Sequence, residues 1–289
     1  MNLSMTADLA AAYTSGSQRA RVVTESWGEQ NLFCPNCSSP NLSRLQNNTR
    51  ASDFACPNCK FWYQLKGQKT RIGNSITDGA YEAMMTAIRN DETPNFFFLH
   101  YDLATWNIKN LLLIPSFAFP PSAIIKRPPL SATARRAGWV GCNFDLTRIP
   151  LDARIAVVAE SKVTLPGEVR AQFKKIKPLK DLSIKDRGWT LDVLNIIRRL
   201  VESRRASDLD CGGSTPLSPG ETCLADPKRG HVRALQTEFT TSEIYAFERE
   251  LEKLHPDNRH IRDKIRQQLQ VLRDTGFLLH VASGRWRVK

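Results

Sequence analysis

Apolar and polar positions divide this chain into two regions of different character. Near the start, Leu9, Ala12 and Tyr13 fall at helical spacing, and a second segment from Ser17 to Trp27 sets Ala20, Val23 and Trp27 on one side. Residues 1–30 are therefore expected to be helical. Residues 53–55 and 61–66 read as a strand pair, the second alternating apolar and polar side chains near its end. Thr77 to Asn90 reads as a helix, with Ala80, Met84, Ala87 and Ile88 on one face. Phe96 to Tyr101 and Ile108 to Ile114 are continuous apolar runs, as expected of strands buried on both faces. Residues 115–138, rich in Pro, Ser and Arg, read as a long loop, and Arg154 to Ala159 as a short strand. Alternating helices and strands predict one α/β domain over residues 1–182.

From residue 183 the pattern changes. Leu191, Leu194, Ile197 and Val201 make a helical stripe. Residues 203–237 carry Gly212, Gly213, Pro216, Pro219, Gly220, Pro227 and Gly230 among few large apolar residues, and read as a mobile insertion or linker. Thr240 and Glu243 then form a capping box, followed by Ile244, Phe247 and Leu251 and ended by Pro256. A second helix is expected from about Asn258, with Ile261, Ile265, Leu269 and Leu272 on one side. Residues 277–281 and 285–288 flank Ala282-Ser283-Gly284, a hairpin signal. Helix, helix and hairpin make the winged-helix pattern, so residues 183–289 are expected to form a winged-helix DNA-binding domain. No internal repeat is found.

Composition narrows the function. Residues of hydrophobic type make up 41% of the 289, which excludes chain-wide disorder. The longest apolar stretch, Leu111 to Pro121, is too short to span a bilayer and is broken by proline. No basic segment precedes Ala10-Ala11-Ala12 and Asp8 interrupts the apolar run, so the N-terminus does not read as a secretory signal. Lys and Arg exceed Asp and Glu by 41 to 29, a net charge of +12. An excess this large points to a polyanionic partner, nucleic acid before an anionic membrane.

Seven cysteines include two CxxC pairs, Cys34-Pro-Asn-Cys37 and Cys56-Pro-Asn-Cys59, separated by 18 residues. Each pair can turn two thiolates onto one ion, and two such knuckles complete a tetrahedral zinc site within the usual ribbon spacing. Four unligated cysteines or a redox dithiol are the alternatives. A site filled by four protein ligands has no open position, so this zinc is expected to be structural. The pattern suits a reducing, cytoplasmic setting. Cys142, Cys211 and Cys223 have no paired spacing and read as incidental.

Asp53 precedes the second knuckle and Gln64-Leu65-Lys66 follows it. On a strand, residues 64 and 66 share a face. If the two segments pair, Asp53, the Gln64 amide oxygen and the Leu65 carbonyl offer Mg²⁺ an oxygen set. Lys66 beside them suits the attacking water and the developing charge of phosphodiester hydrolysis. The spacing alone is weak, since a surface Asp and Lys on a hairpin look the same. Glu25 is a further candidate carboxylate, although a solvated helix charge is the simpler reading.

The chain resembles the DpnI-type methyl-directed restriction endonucleases. The resemblance runs through Phe33 to Cys37, Asp53-Phe54, Leu65-Lys66, Asp78 to Tyr81, Asn95 to Leu99 and Thr133 to Asn143. It continues through Arg187 to Thr190, His260-Ile261 and Lys264 to Gln270, and covers almost everything except residues 203–237. It implies a PD-(D/E)xK nuclease core with a mixed sheet and an embedded four-cysteine zinc module at residues 34–59, followed by the winged helix. It also implies Mg²⁺-dependent cleavage of double-stranded DNA at GATC carrying N6-methyladenine; a monomer is expected, and whether two copies act together on the two strands is left open by the sequence. The family's catalytic Glu is replaced here by Gln64, which keeps one oxygen ligand but loses a charge, so weaker Mg²⁺ binding is expected. A reader of methylated DNA without catalysis is the alternative.

Arg259, Arg262, Arg266 and Arg273, with Gln270 among them, line the polar side of the second C-terminal helix. In a major groove, Arg suits guanine and Gln suits adenine. A solvated basic face is the alternative. Arg285 and Arg287 on the hairpin would serve as the wing. Trp139 stands in a loop beside Arg135 and Arg136, where its ring can pack on methyl groups, and the resemblance implies a methyl-sensing role there; a core Trp is the other reading. Lys174, Lys175, Lys177 and Lys180 read as general phosphate contacts.

Overall fold

The computed structural model describes residues 1–46, 52–210 and 237–289, with side chains omitted for 206–210. Most of the 203–237 insertion, with Cys211 and Cys223, lies outside the described residues. The chain divides into two compact units, residues 1–188 and 189–289.

In the first unit the elements run α1 (Gly16–Asn31), β1 (Ser43–Arg44), β2 (Phe54–Ala55), β3 (Trp62–Gln68), β4 (Ser75–Ala80), α2 (Tyr81–Arg89), β5 (Asn95–Tyr101), β6 (Ile108–Ile114), β7 (Ile124–Lys126), β8 (Gly141–Asp145), β9 (Ile155–Ala159), β10 (Lys162–Val163) and α3 (Pro166–Ile176), with short 3-10 turns between them. A seven-stranded sheet has the order β1-β2-β3-β5-β6-β9-β10. Only β3 and β5 run parallel within it, so the sheet is mixed. The apolar runs at β5 and β6 occupy its middle, as their composition demands: Phe96 through Leu99 are all buried.

Period-two alternation sends neighbours to opposite layers. Phe96 and Phe98 face Phe144 of β8, with ring centroids 5.0 and 5.7 Å away. That residue belongs to a second sheet of order β4-β8-β7. Phe97 stacks on Tyr63 of β3 at 5.6 Å. Along β3, Tyr63 and Leu65 are buried, whereas Gln64 and Lys66 are half-buried on the opposite face. α1 packs on the Leu65 side so closely that a Cβ on Gly28 would lie 2.7 Å from the Phe54 ring and 3.2 Å from Leu65.

In the second unit α4 (Ile184–Asp210), which begins just before the division, is followed by β11 (Glu238–Thr240), α5 (Thr241–Tyr245), α6 (Glu248–Leu254), α7 (Ile261–Asp274), β12 (Leu278–Ala282) and β13 (Arg285–Val288). The last three strands form a sheet of order β11-β13-β12. Thr240 and Glu243 make the reciprocal capping box at α5. Buried Trp189 stacks on His255 at 3.7 Å, and His255 bonds buried Asp192 at 2.8 Å.

Several expectations are corrected. The helix expected from Thr77 begins at Tyr81, because Ser75 to Thr77 and Ala80 pair with β8. The expected loop at 115–138 contains β7, a three-residue edge strand. Lys174 and Lys175 end α3, whose other face buries Val169, Phe173 and Ile176. Leu9 and Tyr13 are exposed, and only a 3-10 turn forms at Ala7–Ala10. The single helix before Pro256 is two, and α7 starts at Ile261. The linker expected from residue 203 continues α4 to Asp210.

Gly28→Ala is expected to lower the stability of the first unit. Overpacking typically costs about 1–3 kcal/mol, against roughly 1 kcal/mol gained from helix propensity. Phe54 is fully buried and has no room to yield, so a net loss of up to about 2 kcal/mol is expected by denaturant unfolding. An unchanged midpoint would show that the α1–β3 layer relaxes freely.

Candidate functional site

The four knuckle cysteines converge. Their sulfurs lie within 4.8 Å of one another. Cys34 to Cys59 and Cys37 to Cys56 are each 3.5 Å apart, and zinc–sulfur bonds of about 2.3 Å place tetrahedral ligands roughly 3.8 Å apart. The donor set and spacing fit zinc. Among the described residues this is the one cluster of three or more His, Cys, Asp or Glu donors arranged to hold a metal. Burial pushes the Cys34 thiol up, opposed by the Tyr63 hydroxyl at 3.2 Å.

A residue that sequence reasoning missed braces the first knuckle. Arg170 Nε on α3 donates to the carbonyls of Cys34 at 3.1 Å and Cys37 at 2.8 Å, and Nη2 donates to Ser39 at 3.1 Å. The only sequence signal was an arginine at the helical position one step after Val169; nothing local links it to residues more than 130 positions earlier.

The second knuckle is the turn between β2 and β3. It sets Asp53 opposite the strand: Asp53 N–H donates to Tyr63 O at 2.9 Å, and Leu65 N–H donates to Asp53 Oδ2 at 2.8 Å. Oδ1 has no hydrogen-bond partner among the described residues. Burial raises the Asp53 pKa, the Leu65 N–H opposes it, the Glu25 charge adds to the rise, and Arg21 and Lys66 pull it down. A desolvated carboxylate with a free oxygen is a donor of the kind that suits a hard divalent cation.

Gln64 and Lys66 share the other face of β3. Gln64 lines a cavity of about 510 Å³ with Trp62, Asp78, Gly79, Ala80 and Phe96. The Lys66 ammonium contacts the Asp78 carboxylate. Glu25 is not a solvated helix charge: it is 5% exposed, with Arg21 at 2.5 Å and Arg44 at 2.6 Å on its oxygens. Asp53, Glu25 and Asp78 do not themselves converge into a three-carboxylate cluster.

Trp139 is half-buried in the loop joining β7 to β8, with the Arg136 guanidinium 5.2 Å from its ring and Arg135 exposed beside it. It is not a core residue. The loop closes on itself, Gly138 N–H and Leu130 N–H bonding across to Leu130 O and Trp139 O. The ring lies against Gly141, where a Cβ would approach it to 2.8 Å. Gly141 pairs with Ala80, one of the cavity residues, so the tryptophan loop and the Gln64 cavity share a strand pair.

On α7, Arg262, Arg266, Gln270 and Arg273 are exposed opposite buried Ile261, Ile265, Leu269 and Leu272, and exposed Arg259 precedes the helix. The arginines carry internal partners. Arg262 meets Glu248 at 2.8 Å, Arg266 meets Asp263, and Arg273 meets Asp274 at 2.9 Å. On the hairpin, Arg285 and Arg287 both bind Glu238, and Arg287 first, then Arg285, holds that carboxyl below its usual range. Exposed pairs of this kind are weak, because solvent screens them.

Residues 1–182 match the family model described as DpnI, Dam-replacing family, and residues 231–288 match the Dam-replacing HTH domain. The chain belongs to the Dam-replacing family. As a member it is a methyl-directed restriction enzyme of DpnI type, a nuclease acting on DNA, with a C-terminal winged helix. Among the described residues no helix is long and apolar enough to cross a membrane.

Arg170→Ala is expected to leave the cysteines in place but loosen their support, since groups that brace metal ligands affect affinity by about 10–100-fold. The parent should carry one zinc per chain by elemental analysis. The variant should release it to a chromogenic chelator at about a tenth of the concentration. Equal resistance would assign Arg170 to packing alone.

Proposed function

We propose that this chain is a type II endonuclease of PD-(D/E)xK type that hydrolyses double-stranded DNA at GATC carrying N6-methyladenine. The observation that carries the reading is the pairing of β2 and β3, with Asp53 bonded to the Leu65 backbone and Gln64 and Lys66 on the neighbouring face. Asp53, the Gln64 amide oxygen and the Leu65 carbonyl would hold Mg²⁺, which when bound polarises the scissile phosphate and acidifies its water. Lys66 orients that water and offers positive charge to the phosphorane as its charge grows. The zinc module fixes the turn between the two strands and takes no part in the chemistry. Arg259, Arg262, Arg266, Gln270 and the wing residues Arg285 and Arg287 would bind the duplex as a winged helix, and Arg135, Arg136 and Trp139 would meet it from the first unit. The protein acts as a monomer in the cytoplasm.

Gln64 favours a second reading, in which the chain binds methylated DNA without cutting it. An amide lacks the negative charge with which a Glu would hold the metal. The two readings differ in one assay.

The purified protein with Mg²⁺ is expected to cut an adenine-methylated duplex, to cut a hemimethylated one more slowly and to spare the unmethylated one. Lys66→Ala should bind the methylated duplex with parental affinity and lose cleavage by about 100-fold or more. Binding without cutting in the parent would establish the reader; equal cutting of methylated and unmethylated duplexes would remove the methyl requirement.

Trp139→Ala should narrow the ratio of methylated to unmethylated cleavage by about tenfold, as expected from losing one aromatic contact with apolar methyl groups. Its melting temperature should stay close to the parent's because the ring is half-exposed. An unchanged ratio would strip Trp139 of its sensing role.

A further inference from the structure

We infer that Asp78 is the positioning residue for Lys66, fixing the ammonium where the nuclease reaction needs it; this rests on the nuclease reading above. Lysine carries a flexible four-carbon stem, and a lysine that must hold a water needs something to select one arrangement. The Asp78 carboxylate is in contact with the Lys66 ammonium, their side chains 11% and 21% exposed. Among the described residues this is the one ion pair that either residue makes. The same ammonium lies 5.6 Å from the Phe96 ring and 5.9 Å from the Phe144 ring, so two aromatic faces close it in from the sheet layers.

Asp78 lies two residues after buried Ile76, on the same face of β4, at an irregularity in strand pairing. Thr77 pairs with Asn143 and Ala80 with Gly141, so two residues, Asp78 and Gly79, stand opposite the single Cys142. Such a β-bulge interrupts the ladder, while Asp78 keeps the less exposed side of the Ile76, Asp78, Ala80 alternation. The bulge is pinned on both sides: Cys142 Sγ donates to Gly79 O at 3.6 Å, and Tyr81 N–H, which opens α2, donates to Val140 O at 3.1 Å.

The substitution at position 64 makes this acid matter more. Gln64 and Asp78 line one cavity. With an amide at 64, Asp78 is the carboxylate in contact with Lys66, and Asp53 influences the lysine through its charge alone.

The test compares the parent, Asp78→Asn, Lys66→Ala and the double variant in single-turnover cleavage of an adenine-methylated duplex with Mg²⁺, with duplex affinity measured separately in Ca²⁺. Asp78→Asn should cut about 100-fold more slowly with affinity within about twofold of the parent, and Asp78→Glu should recover part of the rate. In the Lys66→Ala background the same change should cost nothing further. A parental rate for Asp78→Asn, or multiplied losses in the double variant, would overturn the proposal. Independently of activity, competitive acylation read by mass spectrometry should modify Lys66 faster in Asp78→Asn by about threefold or more, with other lysines unchanged. Equal acylation would also overturn it. A parent that cuts no duplex would instead remove the nuclease reading, and the acylation result would still decide whether Asp78 holds Lys66.

Discussion

The hydrogen bond from the Leu65 N–H to Asp53 Oδ2 ties together the parts of the candidate site that the chain separates by twelve positions. It draws the acid against β3 at the residue whose side chain is driven into the core under α1, where Gly28 leaves space for it. Because the strand period is two, burying Leu65 fixes Gln64 and Lys66 on the opposite face. The hydrophobic requirement at one residue thus orients the chemistry at both neighbours. A one-residue slip would put the amide and the lysine beneath the helix and the leucine into the cavity. The Cys56–Cys59 knuckle is the turn that joins the two strands in this register, and Arg170 anchors the other knuckle to α3.

Charge within the first unit is arranged in graded burial. Glu25 is almost fully buried and carries two arginines, which offset a desolvation cost that would otherwise be several kcal/mol. Asp53, less completely enclosed, has a single backbone donor and a free oxygen, so its compensation is incomplete. The outer arginines of the second unit are different again. They are exposed, and their acid partners are weakly held by comparison with a duplex phosphate array that returns counterions to solvent. Buried pairs therefore set geometry, whereas the exposed pairs are weak enough that, on the proposed reading, a polyanion would displace them.

Strong, local signals were legible in the sequence. Two CxxC knuckles, the apolar runs at β5 and β6, the capping box at Thr240 and Glu243 and the hairpin at Gly284 each depend on residues within a few positions of one another. What escaped depends on distant partners. Gly141 to Asp145 has no clear alternation until Phe144 is seen to meet Phe96 and Phe98, and Asp78 was absorbed into an expected helix because its strand exists only through pairing with that segment. Glu25 looked like a solvated helix charge because Arg44, one of its two partners, lies on another element, and Arg170 went unnoticed because all its partners do. For the candidate site, spacing brought out Asp53, Gln64 and Lys66, but nothing local singled out the acid that touches the lysine.

The amide at position 64 invites the conclusion that metal binding must fail, and magnitudes argue against that. A unit charge about 4 Å from a cation contributes roughly 4 kcal/mol per unit of cation charge at an effective dielectric of about 20. Against this stands the cost of crowding. A glutamate here would enter a cavity already lined by Asp78, on the strand that pairs with the Asp53 segment, whose carboxylate is disfavoured by burial and by the Glu25 charge. It would also compete with Asp78 for the Lys66 ammonium, leaving one acid uncompensated whenever the metal is absent. Replacing that acid by an amide removes attraction for the ion and repulsion within the empty site together. The net loss is therefore smaller than the Coulomb figure. On the proposed nuclease reading, Gln64 would shift the site toward needing more Mg²⁺, while the oxygen donors and the lysine paired with Asp78 would stay in place.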